Sequence, residues 1–266
     1  MMVPADVEAL ARDGRAALDD GEWGSAREAF EACLGQEERA DALLGLSDAL
    51  WWLGDTEGAV RRGEQAYAAF RHDRDAASAI VAAVTLYFHH RVSLGNAAAA
   101  RGWLQRAARL VEEHGLAPLE GWVMLMRAHD SADPAVAEQW SREACRLAGR
   151  HHDSDLELCA LSQLGVALVE LGRVDEGGAL LDEAMAASLA GECDNLRTVV
   201  YASCNTISAC AHVVGIERAA QWIRATDGFA QRFGSPHLQG AERESWEGEQ
   251  AFEVDPVRDV RERGLE

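Results

Sequence analysis

Histidine and carboxylate side chains could carry acid–base chemistry in this sequence, which holds 9 His and 45 Asp and Glu residues. His89 and His90 end the apolar stretch AIVAAVTLYFHH, and His129 lies further along the chain. A histidine beside a carboxylate can act as acid and base, so one hypothesis is a helical-cavity enzyme that uses His89 and His129 with an acidic partner. We favour the alternative that one residue of the His89–His90 pair packs inside a helical array while the other is solvated.

The run His151, His152, Asp153, with Asp155 and Cys159 further on, offers the nitrogen, oxygen and sulfur ligands that zinc accepts. Consecutive side chains on a helix diverge by about 100°, so adjacent histidines rarely bind one ion without help. We therefore predict a solvated turn here, with no bound metal and no other cofactor.

Several catalytic motifs are missing from the sequence. All 25 basic residues are Arg, because the chain contains no Lys. This composition excludes a phosphate-binding-loop lysine, a lysine Schiff base and a Ser-x-x-Lys nucleophile pair. The patterns His-Glu-x-x-His, Gly-x-Ser-x-Gly and Cys-x-x-Cys are absent as well. The sequence therefore favours a protein that is not an enzyme.

The charge of the chain limits its partners. A formal net charge of −20 repels phosphate, so we expect neither nucleic acid nor an anionic membrane surface to bind. The first residues lack the basic and apolar regions of a signal peptide, and the longest apolar stretch, 79–88, is too short to cross a bilayer. Together these features predict a cytoplasmic protein.

The elements that must position these residues are helices, because apolar residues recur at spacings of three and four and the chain has only 5 Pro. Turns at positions 21, 54, 95, 132, 172 and 215 are separated by 33 to 43 residues, the length of one helical hairpin. A small residue lies five positions after each turn, where it lets two helices approach closely. These residues are Ala26, Ala59, Ala100, Ala137, Gly177 and Ala220.

The fifth of these units resembles the tetratricopeptide repeat through Leu161, Leu164, Gly165, Leu168, Gly177, Leu181 and Ala184. The resemblance implies an all-α protein: an α-solenoid of about six tetratricopeptide-like helical hairpins, completed by a C-terminal capping segment. We place the repeat domain at 1–234, and we expect a polar capping helix and a frayed tail at 235–266.

Segments 46–60, 102–122, 177–192 and 218–234 are similar to the tetratricopeptide region of actinobacterial LuxR-type transcriptional regulators. In that family a helix-turn-helix domain commonly follows the repeats, but no such basic domain follows Gly234. The resemblance therefore implies a regulatory sensor or adaptor that lacks its own DNA-binding domain.

The concave side of such a solenoid is the predicted binding surface, because the first helix of each hairpin faces it. Aromatic, thioether and polar side chains on this surface suit a protein segment or peptide, or a small signal molecule, as the partner. Self-association through the last hairpin is a further alternative. The predicted groove residues are Arg15, Asp48, Trp51, Thr85, His89, Trp122, Met126, His129, Ser162, Asn205 and His212.

Overall fold

The computed structural model describes residues 6–210 and 216–234 of the chain. Within this part of the chain there are twelve α-helices and no strand, which confirms the predicted all-α solenoid. The helices are α1 (Val7–Asp19), α2 (Trp23–Leu34), α3 (Ala40–Trp52), α4 (Thr56–His72), α5 (Ala76–Phe88), α6 (Ala97–His114), α7 (Ala117–Asp130), α8 (Pro134–His151), α9 (Ser154–Glu170), α10 (Val174–Ala190), α11 (Leu196–Ala209) and α12 (Ile216–Phe233).

Short polar side chains define where many of these helices begin. A side-chain oxygen before each of seven helices accepts a backbone N–H of the first turn, which would otherwise have no partner. At the start of α8, Asp133 is the cap and Pro134 lies in the first turn, where its missing N–H costs no hydrogen bond. The seven capping residues are Asp6, Asp55, Asp75, Asn96, Asp133, Asp153 and Asn195.

The helices pair into six consecutive hairpins. Each odd-numbered helix packs against the even-numbered helix that follows it, and the hairpins stack through contacts such as α1 with α3, α5 with α7, α7 with α9 and α9 with α11. The odd-numbered helices therefore lie on one side of the stack, which we call the inner wall, as expected of stacked helical hairpins. No helix among the described residues is both long enough and apolar enough to span a membrane.

Small residues bring the paired helices together. Ala26, Ala59 and Ala100 are fully buried, whereas Ala220 is partly exposed. The closest approach is in the fifth hairpin, where a Cβ atom added to Gly177 would lie 2.5 Å from the carbonyl oxygen of Gly165. Only glycine fits this α9–α10 contact without moving the backbone.

The two ends of the solenoid also meet. Trp23, at the start of α2, donates its indole N–H to the carbonyl oxygen of Phe233 at 2.6 Å, although 210 residues separate them. The Trp23 ring stacks on Trp52 with centroids 4.3 Å apart, and Ala230 of α12 is buried in the same cluster. Helix α12, the last one that the structure describes, thus packs against the first two hairpins and closes the inner wall. The predicted capping segment, 235–266, lies outside the described residues.

Candidate functional site

The inner wall lines a partly open cavity of about 300 Å³. Its lining comes from α3, α5, α7, α9 and α11, together with a five-residue π-helical turn (His89–Ser93) that follows α5. Helices far apart in sequence therefore share one site. The lining residues are Trp51, Val81, Val84, Thr85, Phe88, His89, Val92, Ser93, Leu119, Trp122, His129, Asp155, Cys159, Asn195, Arg197, Thr198, Val200, Tyr201, Cys204 and Asn205.

The structure brings more than half of the predicted groove residues together at this cavity. Those that line it are Trp51, Thr85, His89, Trp122, His129 and Asn205. Two of the indole rings are held by hydrogen bonds: Trp51 Nε1 donates to Ser93 Oγ at 3.1 Å, and Trp122 Nε1 donates to Asp153 Oδ2 at 2.9 Å. Because each ring is anchored at its polar edge, its apolar faces have a defined orientation.

Arg15 and Asp48 lie outside the cavity, in a separate polar pocket of about 130 Å³. Arg197 lines both spaces and donates to Asp48 Oδ1 at 2.7 Å, so this ion pair lies between them. The Arg197 guanidinium also lies 5.0 Å from the centre of the Trp51 ring. Burial raises the pKa of Asp48, while Arg197 and Arg15 oppose that rise.

Met126 and Ser162 lie behind the wall and do not line the cavity. Met126 is fully buried in the core with residues of α5, and its carbonyl accepts the Tyr87 hydroxyl at 3.1 Å. Ser162 is fully buried, donates to the Cys159 carbonyl and accepts from Asn205 Nδ2 at 3.0 Å. The side chains of neighbouring inner helices cover both residues. His212 lies outside the described residues.

The π-helical turn buries both His89 and His90, although the sequence predicts one buried and one solvated histidine. A π turn holds more residues than an α turn, and such insertions are frequent at functional sites. His89 lines the cavity with its ring 6.1 Å from that of Trp51. Burial lowers the pKa of His90.

His129 stands in an aromatic cluster with Phe88 and Tyr201, whose ring centres lie 6.1 and 5.9 Å from its own. Its Nδ1 lies 3.0 Å from Tyr87 Oη. Because the hydroxyl hydrogen of Tyr87 is donated to the Met126 carbonyl, Nδ1 of neutral His129 is assigned as the donor to Tyr87. Burial, assisted by Arg91, lowers the pKa of His129 to about 4.

The acidic side chains in the run from His151 to Asp155, where the sequence predicts a solvated turn without a metal, contact the ends of helices. Asp153 caps α9 and accepts from Trp122. Asp155 accepts from Thr198 Oγ1 at 2.6 Å and from the Asn195 backbone N–H at 3.0 Å, and burial raises its pKa. No group of three His, Cys, Asp or Glu side chains within 6–210 and 216–234 is arranged to hold a metal ion.

Sequence reasoning missed Arg197 and Tyr201, which line the cavity from α11. A signal for them was present, because 197, 201 and 205 are spaced by four residues and so share one face of a helix with the predicted Asn205. The same face therefore brings a charged, an aromatic and an amide side chain to one wall.

The stacked hairpins, the small-residue contacts and the site on the inner wall define the class of the protein: an all-α solenoid with a tetratricopeptide-like fold. No protein-family model matches the sequence, and no curated protein matches it either.

Solved structures share the fold at low identity. A Rap protein complexed with competence and sporulation factor has a TM-score of 0.61 and 11% identity, over 94% of this chain and 77% of the Rap chain. The Rap conjugation gene regulator of plasmid pLS20, in complex with the Phr* peptide, has a TM-score of 0.61 and 12% identity over the same shares. A variant of a putative kinesin light chain from Podosopora anserina, with nearly identical TPR-like repeats, has a TM-score of 0.50 and 15% identity over 72% of this chain and 99% of that one.

Proposed function

We propose that this protein is a non-catalytic regulatory binding protein, a sensor or adaptor, whose ligand occupies the inner cavity. The proposal rests on one observation, which is that side chains from distant parts of the sequence meet in a single cavity. Trp51 of α3, Thr85 of α5, Trp122 of α7 and Asn205 of α11 all line one space, although these helices belong to four different hairpins. Stacked repeats place such residues on one wall, and anchored aromatic rings beside amide and hydroxyl groups are the usual composition of a ligand pocket.

The ligand in this proposal is a peptide or protein segment, or a small signal molecule. Support for a peptide comes from the shared fold, because one Rap protein is described in complex with the Phr* peptide. Support for a small molecule comes from the Asp48–Arg197 ion pair and the contact of Trp23 with Phe233, which close the wall and leave a confined space.

Two groups in the cavity favour binding over catalysis. The pKa of His129 is about 4, so its imidazole is neutral near pH 7 and is a poor base. The Asp155 carboxylate is engaged by Thr198 and by the backbone of Asn195. A helical-cavity enzyme would need an acid and a base that exchange protons with a substrate, so these contacts support the non-catalytic proposal.

The regulatory part of the proposal comes from the sequence. The similarity of 46–60 and 218–234 to LuxR-type regulators supports a role in transcriptional regulation in the cytoplasm. This role would be exerted through a partner, because a charge of −20 opposes direct contact with DNA.

A domain boundary at Gly234, with 235–266 as a capping segment, belongs to the same proposal. Its support is that α12 ends at Phe233 and that Gly234 has a φ of 60°. Self-association through the last hairpin would compete with the contact between α12 and Trp23.

A blocked cavity tests the proposal. Val84 lines the cavity and is partly buried, so Val84→Trp fills the space, whereas Val136→Trp adds the same ring to an exposed position on α8. The full chain and both variants would be incubated with fractionated extracts of peptides and small molecules from the native host. Native mass spectrometry would then detect bound ligand, and circular dichroism would confirm folding.

We expect one ligand mass on the natural chain and on Val136→Trp, and its loss from Val84→Trp. If Val84→Trp fails to fold, Val81→Trp at the more exposed cavity edge replaces it. A ligand that still binds the folded blocked variant, or the absence of any bound mass on the natural chain, contradicts the proposal.

A further inference from the structure

We propose that the cavity selects an uncharged, mainly apolar molecule with two or three rings. This inference rests on the proposed function, because it names the ligand class for the same cavity. It is carried by the size of the space, by the apolar side chains that line it and by the contacts that already engage its charged groups, Arg197 with Asp48 and Asp155 with Thr198 and Asn195.

Size comes first. An engineered apolar cavity of about 150 Å³ holds one benzene ring, and ligand pockets begin at about 300 Å³. The space of about 300 Å³ in this protein therefore admits a molecule larger than a single ring. An extended peptide would have to continue past the end of this space, where Arg197 and Asp48 are joined at 2.7 Å between the cavity and the polar pocket.

Apolar side chains extend from the inside of the cavity to its edge. Phe88, Leu119 and Trp122 line the interior. Val81 and Val92 also line it, yet 43% and 52% of their surfaces are exposed to solvent. They are among the most exposed large apolar residues of the described chain, and a ligand in the cavity would remove part of that surface from water.

The charged groups of the lining leave little to attract an ion. Arg197 is balanced by Asp48, and Asp155 is the other charged lining residue. An anion would meet the Asp155 carboxylate, and the Arg197 charge that could attract it is already balanced by Asp48. A cation would need the Asp155 carboxylate, which already accepts from Thr198 and Asn195. Burying an ion without a free counter-charge is unfavourable, so the site discriminates against charge.

Two fluorescent probes with a shared aromatic frame test this inference on the full chain. N-phenyl-1-naphthylamine is uncharged, and 1-anilinonaphthalene-8-sulfonate adds one sulfonate to the same rings. Each probe is titrated with the protein, and the rise in probe fluorescence gives the dissociation constant. We expect the uncharged probe to bind at least about tenfold more tightly than the sulfonate.

A matched pair of variants locates the probe. Val81→Asp puts a carboxylate at the cavity edge, and Val136→Asp puts one on α8 at a residue with a similar exposed fraction of 36%. We expect Val81→Asp to weaken binding of the uncharged probe by about tenfold and Val136→Asp to change it by less than about twofold. Both positions are partly open to solvent, so both variants should fold.

The possible outcomes separate the ligand class from the site. Equal or tighter binding of the sulfonate, lost in Val84→Trp, overturns the ligand class but leaves the proposed site. Displacement of the uncharged probe by a mixture of pentapeptides with free termini also overturns the class, because the occupant is then a charged peptide. No binding of the uncharged probe, or equal binding to Val84→Trp, overturns both the ligand class and the site.

Discussion

The contacts between the two paired helices of a hairpin differ from the contact that joins the first hairpins to α12. Between paired helices, small residues let backbones approach, as at Gly165 and Gly177. At the ends, large aromatic rings fill the space: Trp23 stacks on Trp52 and donates to the carbonyl of Phe233. The first type of contact recurs along the chain, whereas the second occurs once within 6–210 and 216–234.

This difference matters because the cavity lies beside the second type of contact. Trp51, which lines the cavity, belongs to the same apolar cluster as Trp23 and Trp52, and Arg197 lines the cavity while bonding Asp48. A contact made once can open at a lower free energy than the repeated core does. The proposed ligand site and the end contact therefore share adjacent side chains, and substitutions at each type of contact should have different effects.

The largest effect is expected at the contact between paired helices. Gly177→Ala would place a methyl group 2.5 Å from the Gly165 carbonyl oxygen, so we expect the free energy of unfolding to fall by about 3 kcal/mol. Gly149→Ala is the control, because nothing lies within 4 Å of a Cβ atom there and alanine favours the helix by up to about 1 kcal/mol. Chemical denaturation measures both. Equal stabilities would show that the α9–α10 contact is looser than the structure indicates.

The next effect is a pH dependence of the free energy of unfolding. It arises at His129 of α7, whose ring contacts Tyr201 of α11. The pKa of His129 is about 4 in the folded chain, below its ordinary value of 6.5. Between pH 4 and pH 6.5 the unfolded chain binds more protons at this histidine than the folded chain does. The contribution of neutral His129 to the free energy of unfolding is therefore fully present above pH 6.5 and falls as the pH falls. From pH 6 to pH 4.5 the loss is about 2 kcal/mol.

The control for this pH dependence is His129→Gln, which keeps a neutral N–H donor near Tyr87 but does not titrate. Denaturation curves at several pH values should show a shallower slope for the variant. The same slope in both proteins would mean that other groups cause the acid sensitivity.

A smaller and more local effect is expected at the end contact. Trp23→Phe keeps an aromatic ring against Trp52 but removes the N–H bond to Phe233, which contributes about 1 kcal/mol. Hydrogen–deuterium exchange should rise in α12 and stay unchanged in α9 and α10. Trp103→Phe, at a Trp that packs against Tyr67 away from the end contact, serves as the control. Unchanged exchange in α12 would argue against a separately opening end.

The smallest effect is expected on the outer surface. Glu138 accepts from Arg142 at 2.7 Å and from Arg173, just before α10, at 2.9 Å, in a solvent-exposed network. Glu138→Gln should leave stability unchanged within error at physiological salt, since exposed pairs are screened. Arg197→Gln should lower stability measurably, because it leaves the Asp48 carboxylate without its ion-pair partner. Similar losses in both variants would remove the distinction between inner and outer ion pairs.

The repeats could be predicted from the sequence because their causes are local. Glycines at 21, 54 and 172 adopt positive φ in the turns between paired helices, and Ala26, Ala59 and Ala100 are buried where the spacing placed them. The candidate site was only partly predictable. Helical register shows which residues share a face, but it does not show which face a neighbouring helix covers, as happens at Met126 and Ser162.

The sequence by itself determined the helices, their caps, their pairing into hairpins and the small residues between them, because each depends on residues a few turns apart. Only the tertiary structure decided that Trp23 meets Phe233 and that Asp48 meets Arg197. Such contacts depend on the sum of small rotations from one hairpin to the next, and no short stretch of sequence specifies that sum. The cavity lies where those rotations bring α11 opposite α3 and α5.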